Sequence, residues 1–231
     1  MSLAAGFACL SLLVAAAFVA SVAWANRLSP STAVSLPLAT LCTVLWLALT
    51  GAVAGFGLLR FWPPPPTMFL LLLVAVAGVA WIVRSRLGAH LADSLPLWCL
   101  VGFQVFRVVV ELLLHQAFVE GHIGIQMTYL GRNLDIVSGI TGLLLGFVLR
   151  LRTVHPYLVL AWNAIGLALL INIVTIAILS ADTPFRYFTD GPANTFVTRV
   201  PFVWLPAVLV QAALLGHLLV FRRLIAPRST D

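Results

Sequence analysis

The chain has 231 residues, of which 62% are hydrophobic and only 9% are charged. A soluble domain carries roughly 25% charged residues, so this sequence cannot cover itself with a water-facing surface. That excludes a soluble globular enzyme and a disordered chain. The net charge of +6 comes without a basic patch, which excludes nucleic acid as a partner. The class that remains is an all-α, polytopic membrane protein whose first partner is the lipid bilayer. All 13 basic residues are Arg, so no lysine is present to form a Schiff base or to hold the phosphates of a P-loop.

A spanning helix needs about 20 mainly apolar residues. Seven segments qualify, at about 3–25, 37–59, 67–83, 96–119, 133–150, 157–180 and 201–221. They predict one transmembrane domain over 1–231, a bundle of seven transmembrane helices. The first segment ends on Ala23-Trp24-Ala25, which resembles a signal-peptide cleavage site. No cation precedes the apolar run, and the run is long for a signal peptide. Residues 1–25 are therefore read as a span. Cys9, Cys42 and Cys99 fall in apolar runs and read as small buried residues.

The ends of the segments have separate support. Trp24, Trp62, Trp81, Trp98, Trp162 and Trp204 lie near proposed ends, where indole prefers the interface; Trp46 is the mid-span exception. Pro37, Pro96, Pro156 and Pro201 sit at or just before helix starts, where the missing N–H costs nothing. Pro63–Pro66 predicts a stiff polyproline II strut of about 12 Å.

Orientation follows from the arginines. The side of the N-terminus holds Arg60, Arg132, Arg186 and Arg199. The opposite side holds Arg27, Arg84, Arg86, Arg150, Arg152, Arg222, Arg223 and Arg228. The richer side reads as cytoplasmic, which places the N-terminus out and the C-terminus in. The outer connection at 181–200 is aromatic enough to lie down on the helix ends.

The fourth segment carries Gln104, Arg107, Glu111 and His115 at helical spacing. Arg107, Glu111 and His115 span an arc of about 80°. Ionisable groups inside a bilayer are costly and should face protein or a water-filled cavity. With the outer edge near residue 119, His115 lies about 6 Å inside, Glu111 about 12 Å and Arg107 about 18 Å. One reading is a structural Arg107–Glu111 pair capped by His115. The other is a site open to the outside, with Glu111 or His115 as candidate catalytic groups or ligands.

The fifth segment opens on Arg132, Asn133 and Asp135. Asn133 suits a helix cap and Asp135 suits the positive end of the helix dipole. Arg132 sits at the wrong end of that dipole, so a partner is expected among Glu111, Glu120 and Asp135. Asn172 on the sixth segment is level with Glu111. Asn163 on the sixth, and His217 beyond Gln211 on the seventh, lie about 24 Å down. Asn163 and His217 are expected to share an interhelical hydrogen bond separate from the outer group. That group, Arg107 with Glu111, His115, Arg132, Asn133, Asp135 and Asn172, is the candidate ligand site.

Glu111-x-x-x-His115 is one metal-type pair without a third ligand, so no metal and no cofactor is assigned. Ser138-x-x-x-Gly142-x-x-x-Gly146 and Gly51-x-x-x-Gly55 permit close helix approach. They suit an internal seam, and a homo-oligomer is the alternative.

Three runs, Phe106-Arg-Val-Val-Val-Glu111, Met127-Thr-Tyr-Leu-Gly-Arg-Asn-Leu-Asp135 and Pro201-Phe-Val-Trp-Leu-Pro206, resemble those of bacterial seven-helix integral membrane proteins with no assigned activity. The resemblance covers most of the fourth to seventh segments. It implies a multi-pass protein of the bacterial inner membrane.

Three functions remain open on these residues. The first is a periplasm-facing pocket that binds or transports a small polar or anionic molecule, walled by the fifth and sixth segments, with Arg107 and Arg132 as anion contacts. The second is an intramembrane enzyme using Glu111 and His115 as acid, base or metal ligands. The third is a scaffold held by the Arg107–Glu111 pair.

Overall fold

Long apolar runs satisfy their backbone hydrogen bonds within one segment, and in lipid that means helix. A computed structural model of the protein describes residues 2–225 and contains helices and turns, with no strand among those residues. Arg228, counted above in the orientation, lies outside them. The α-helices are α1 (Leu3–Leu28), α2 (Leu36–Gly55), α3 (Thr67–Arg84), α4 (Arg86–Ser94), α5 (Leu97–Gly102), α6 (Phe106–Val119), α7 (Asp135–Leu151), α8 (Pro156–Leu179) and α9 (Val210–Ile225). Six stretches are long and apolar enough to cross a membrane: α1, α2, α3, α5 through α6, α8, and Leu205–Ile225. This marks a multi-pass membrane protein. The fifth expected span is α7, with 17 residues. At 1.5 Å per residue it is about 26 Å long, short of a hydrocarbon core of about 30 Å.

Local chemistry sets several helix starts. The Ser2, Ser35 and Ser85 hydroxyls accept from the N–H groups of Ala5, Leu38 and Gly88 at 3.3, 3.3 and 3.4 Å. Pro37 and Pro156 occupy first-turn positions, as their spacing predicts.

Other segments depart from the sequence reading. The connection at 84–96 contains α4, whose His90, Leu91 and Ala92 are buried. Arg223 donates to the carbonyls of Ala92, Asp93 and Leu95 at 2.6, 3.1 and 2.7 Å, a cation at a helix C-terminus. The fourth span is tightened into a 3-10 turn at Phe103–Val105. The last span does not start at Pro201. Residues 201–203 form a turn, and a π-helical turn at Leu205–Leu209 precedes α9. The Pro63–Pro66 run is a series of bends and not a straight strut. Cys9 and Cys42 are exposed on the outside of the bundle, where lipid would cover them, so only Cys99 is even half-buried.

The small-residue stripe on α7 forms an internal seam. A Cβ on Gly146 would stand 2.9 Å from both Gly102 Cα and the Trp98 carbonyl of α5. A Cβ on Gly142 would meet the Val101 carbonyl at 3.1 Å. Gly51 is less crowded, since a Cβ there would meet the Trp204 ring at an ordinary contact distance of 3.4 Å.

The π turn explains the mid-span tryptophan. A π turn shifts the backbone ladder and leaves carbonyls to be met from elsewhere. Trp46 Nε1 on α2 donates to the Ala207 carbonyl at 2.8 Å, and Trp204 Nε1 returns a bond to the Leu47 carbonyl at 3.2 Å. Gln211 Nε2 donates to the Pro206 carbonyl at 3.0 Å.

The connections at the N-terminal end pack together. Phe7 of α1 meets Phe196 and Phe202 with ring centroids 6.1 and 5.6 Å apart. Ala181, Asn194, Phe196 and Val197 are buried, while Phe185 and Tyr187 stay exposed. The 181–200 connection therefore lies down on the helix ends only in part.

Candidate functional site

A buried polar network crosses the bundle. Arg107 on α6 is 1% exposed. Its Nε donates to Asp135 Oδ2 at 2.6 Å and its Nη2 donates to Asp135 Oδ1. This is a bidentate fork, the strong form of an Arg–carboxylate contact. Arg107 Nη1 lies 2.8 Å from His217 Nε2 on α9, and Nη2 donates to the Gly166 carbonyl on α8 at 3.3 Å. Arginine has no acceptor, so His217 Nε2 must accept and the ring is neutral with its proton on Nδ1. That proton goes to Asn163 Oδ1 at 2.8 Å, and Asn163 Nδ2 returns to the His217 carbonyl at 3.0 Å. One arginine thus joins α6, α7, α8 and α9.

This arrangement corrects two expectations. Arg107 pairs with Asp135 and not with Glu111. The Asn163–His217 hydrogen bond exists, but it is continuous with the outer group. Helix arithmetic placed Arg107 about 6 Å above His217, a gap that an extended guanidinium spans.

Asp135 reaches Arg107 because α7 begins inside the bundle. The segment before it carries Met127, Thr128 and Asn133 at 2%, 0% and 0% exposure. Non-helical backbone at membrane depth is tolerated only where protein satisfies it. Here Gly131 N–H donates to the Thr128 carbonyl at 2.9 Å, Asn133 N–H to the Thr128 carbonyl at 3.2 Å and Arg132 N–H to the Gln126 carbonyl at 3.3 Å. Asn172 Nδ2 adds a bond to the Arg132 carbonyl at 2.9 Å.

Asn133 is a three-way connector. Its Oδ1 accepts from Asp135 N–H at 3.1 Å, so it does take one free N–H of the first turn. Its Nδ2 donates to Glu111 Oε1 at 2.5 Å and to the Met127 carbonyl at 3.1 Å. Glu111 Oε2 is buried and has no hydrogen-bond partner.

The remaining predicted residues stand apart. His115 lies against the Tyr129 ring, centroids 5.0 Å apart, and its Nδ1 has no hydrogen-bond partner. Arg132 is exposed, with its guanidinium 5.4 Å from the Phe188 ring centroid. None of the expected carboxylates is its ion-pair partner among the described residues. No group of three His, Cys, Asp or Glu side chains among those residues could hold a metal ion.

Beside the network lies a cavity of about 590 Å³, within the range of about 300–1,000 Å³ common for ligand pockets. Its walls come from α3, α6, α8 and the π turn with α9, and they are overwhelmingly apolar. Arg107, Glu111, Asp135, Asn194 and Gln211 are polar exceptions; His115, Arg132, Asn133 and Asn172 do not line it. Leu73 on α3 and Ile171 on α8 line it while being 66% and 58% exposed. The cavity is therefore open sideways between these two helices. Leu73 is about 9 Å from the start of α3 and Ile171 about 12 Å from the end of α8. Both lie in the half of the bundle nearer the N-terminal end.

Sequence reasoning missed Asn194 and the role of Gln211. Asn194 sits in a connection with no helical period to place it. Gln211 had a helical position but lacked a known face, because the π turn rotates α9 relative to an ideal helix.

A second, shallow groove lies between α7 and α8 and is lined by Thr141, Val154, His155 and Trp162 among others. Neither Asn163 nor His217 lines it; both are fully buried. No family model, curated protein or solved structure matches the chain.

Proposed function

We propose that this is a seven-span protein of the bacterial inner membrane, N-terminus out and C-terminus in, that binds an amphipathic molecule entering sideways from the outer half of the bilayer. The observation that carries this reading is the apolar cavity opening between Leu73 and Ile171 with Glu111 on its wall. The arginine distribution supports the orientation, and a seventh span requires α7 to cross with its buried entry segment. A reporter active only in the cytoplasm should work when inserted at 153–155 and fail when inserted at 188–191. The reverse pattern refutes the orientation.

A small anionic ligand receives less support. Both arginines expected to contact it are engaged, Arg107 by Asp135 and His217, Arg132 by Phe188. An enzyme using Glu111 with His115 lacks the shared site, because only Glu111 lines the cavity. Transport would need a path past Asn163 and His217, and both are sealed. A pure scaffold leaves the free oxygen of Glu111 unexplained. Binding without turnover fits the geometry best.

Native mass spectrometry of the purified full chain tests this reading. Wild type should retain an amphiphile, and Leu167→Trp or Ala213→Trp, which fill the cavity, should release it while remaining folded. Equal retention by the filled variants would overturn it.

A further inference from the structure

An amphiphile that leaves the bilayer for this cavity gains little from its apolar part, since lipid tails are as apolar as the wall. Affinity and selectivity must then come from the polar end. Three residues of the wall carry a buried polar atom without a partner. Glu111 Oε2, Asn194 Oδ1 and Gln211 Oε1 are all buried and all without a hydrogen-bond partner, and all three residues line the cavity. The two amides are held in register by their nitrogens. Asn194 Nδ2 donates to the Ala177 carbonyl at 3.1 Å and Gln211 Nε2 to the Pro206 carbonyl at 3.0 Å. Backbone carbonyls accept and never donate, so the amide oxygens are the atoms left over.

The charges point the same way. Arg107 is the cation among the lining residues, and it directs its N–H groups to Asp135, His217 and the Gly166 carbonyl. His217 accepts from it and is neutral. Glu111 has an amide partner, Asn133, and its ion pair with Arg107 is not formed. A ligand carboxylate or phosphate would set oxygen acceptors against oxygen acceptors. Buried acceptors are completed by donors.

Resting on the amphiphile reading above, we propose that the ligand's polar end is a hydrogen-bond donor, a primary ammonium or a hydroxyl, received by Glu111, while the unpartnered oxygens of Asn194 and Gln211 disfavour an anionic end. Asn194 stands at the outer end of the cavity, in the 181–200 connection. Glu111 lies about 12 Å from the outer end of α6. The polar end therefore lodges in the outer half, and the chain follows the apolar wall between α3 and α8.

The test uses the full chain in phosphatidylcholine nanodiscs, labelled by a photoactivatable hexadecanol. Hexadecanol, hexadecylamine, palmitate and hexadecyl phosphate compete at equal mole fraction in the bilayer. Hexadecanol and hexadecylamine should displace the label at concentrations at least about tenfold below those of palmitate and the phosphate, since sites built to bond a polar group reject partners that leave it unpaired. Glu111→Gln, which keeps an acceptor oxygen and loses the charge, should weaken hexadecylamine by about tenfold and hexadecanol much less; an equal change in both would overturn Glu111 as the receiving group. Equal displacement by all four competitors would overturn the donor proposal and leave the amphiphile reading standing. Palmitate or phosphate as the best competitor would overturn it as well. Labelling that no competitor saturates would overturn both. The wild-type series needs no variant to fold.

Discussion

Arg107 on α6 grips Asp135, the first residue of α7, through both oxygens of its carboxylate. The pair is buried, and breaking a buried pair leaves an uncompensated charge that costs roughly 3–5 kcal/mol. Arg107→Met and Asp135→Asn should each destabilise the fold by an amount of that order. Their double variant should fall well short of the sum, with a coupling of about 1–3 kcal/mol. Arg107→Met combined with Glu111→Gln should couple less. Unfolding in detergent measures all of these, and a larger coupling to Glu111 than to Asp135 would contradict the assigned pair.

Asn133 joins Glu111 to the entry of α7 by a donor that only its amide supplies. Asn133→Asp removes that donor and sets a second carboxyl group against Glu111. It should cost more stability than Asn133→Leu, which leaves Glu111 unpaired at roughly 1–3 kcal/mol. The order of the two thermal midpoints decides, and the reverse order would show that the amide–carboxylate bond is unimportant.

The broad design was legible in the sequence where a strong local rule applied. Apolar runs located the helices to within a few residues. The α7 glycines and the Asn163–His217 bond followed from spacing and depth. What failed was the partner of Arg107. Its position on α6 was correct, but the start of α7 was placed at the bilayer edge. Asp135 therefore looked about 15 Å too high. The irregular chain from Ile125 to Leu134 has no period, so nothing local shows that Gln126, Met127, Thr128 and Asn133 turn into the bundle. Nothing in the spacing of the last segment reveals the π turn at Leu205–Leu209. The cavity depends on how α3 and α8 stand apart, a tertiary fact with no local signature.

The glycine seam separates close packing from mere composition. Gly146→Ala would press a methyl group onto the backbone of α5, and overpacking of this kind costs about 1–3 kcal/mol. Gly78→Ala on α3 meets nothing within 4 Å and should gain about 0.5–1 kcal/mol from helix propensity. Equal effects at both positions, read from thermal unfolding, would refute the seam.

Trp46 supplies a donor to the Ala207 carbonyl in the π turn. Trp46→Phe should cost about 0.6–2 kcal/mol, the range of interhelical hydrogen bonds in membranes. Trp81→Phe, on a side chain 71% exposed, should cost much less. Comparable losses at the two sites would remove the reason given for a tryptophan in mid-span.

The most direct measurement maps where an amphiphile sits. A photoactivatable hexadecanol, crosslinked to the full chain and located by peptide mass spectrometry, should mark cavity residues such as Leu72, Leu167, Leu170 and Leu209. An excess of unlabelled hexadecanol should suppress those marks. Labelling confined to outward-facing residues such as Leu143, Leu144 and Phe147, and insensitive to that excess, would contradict a lateral binding cavity.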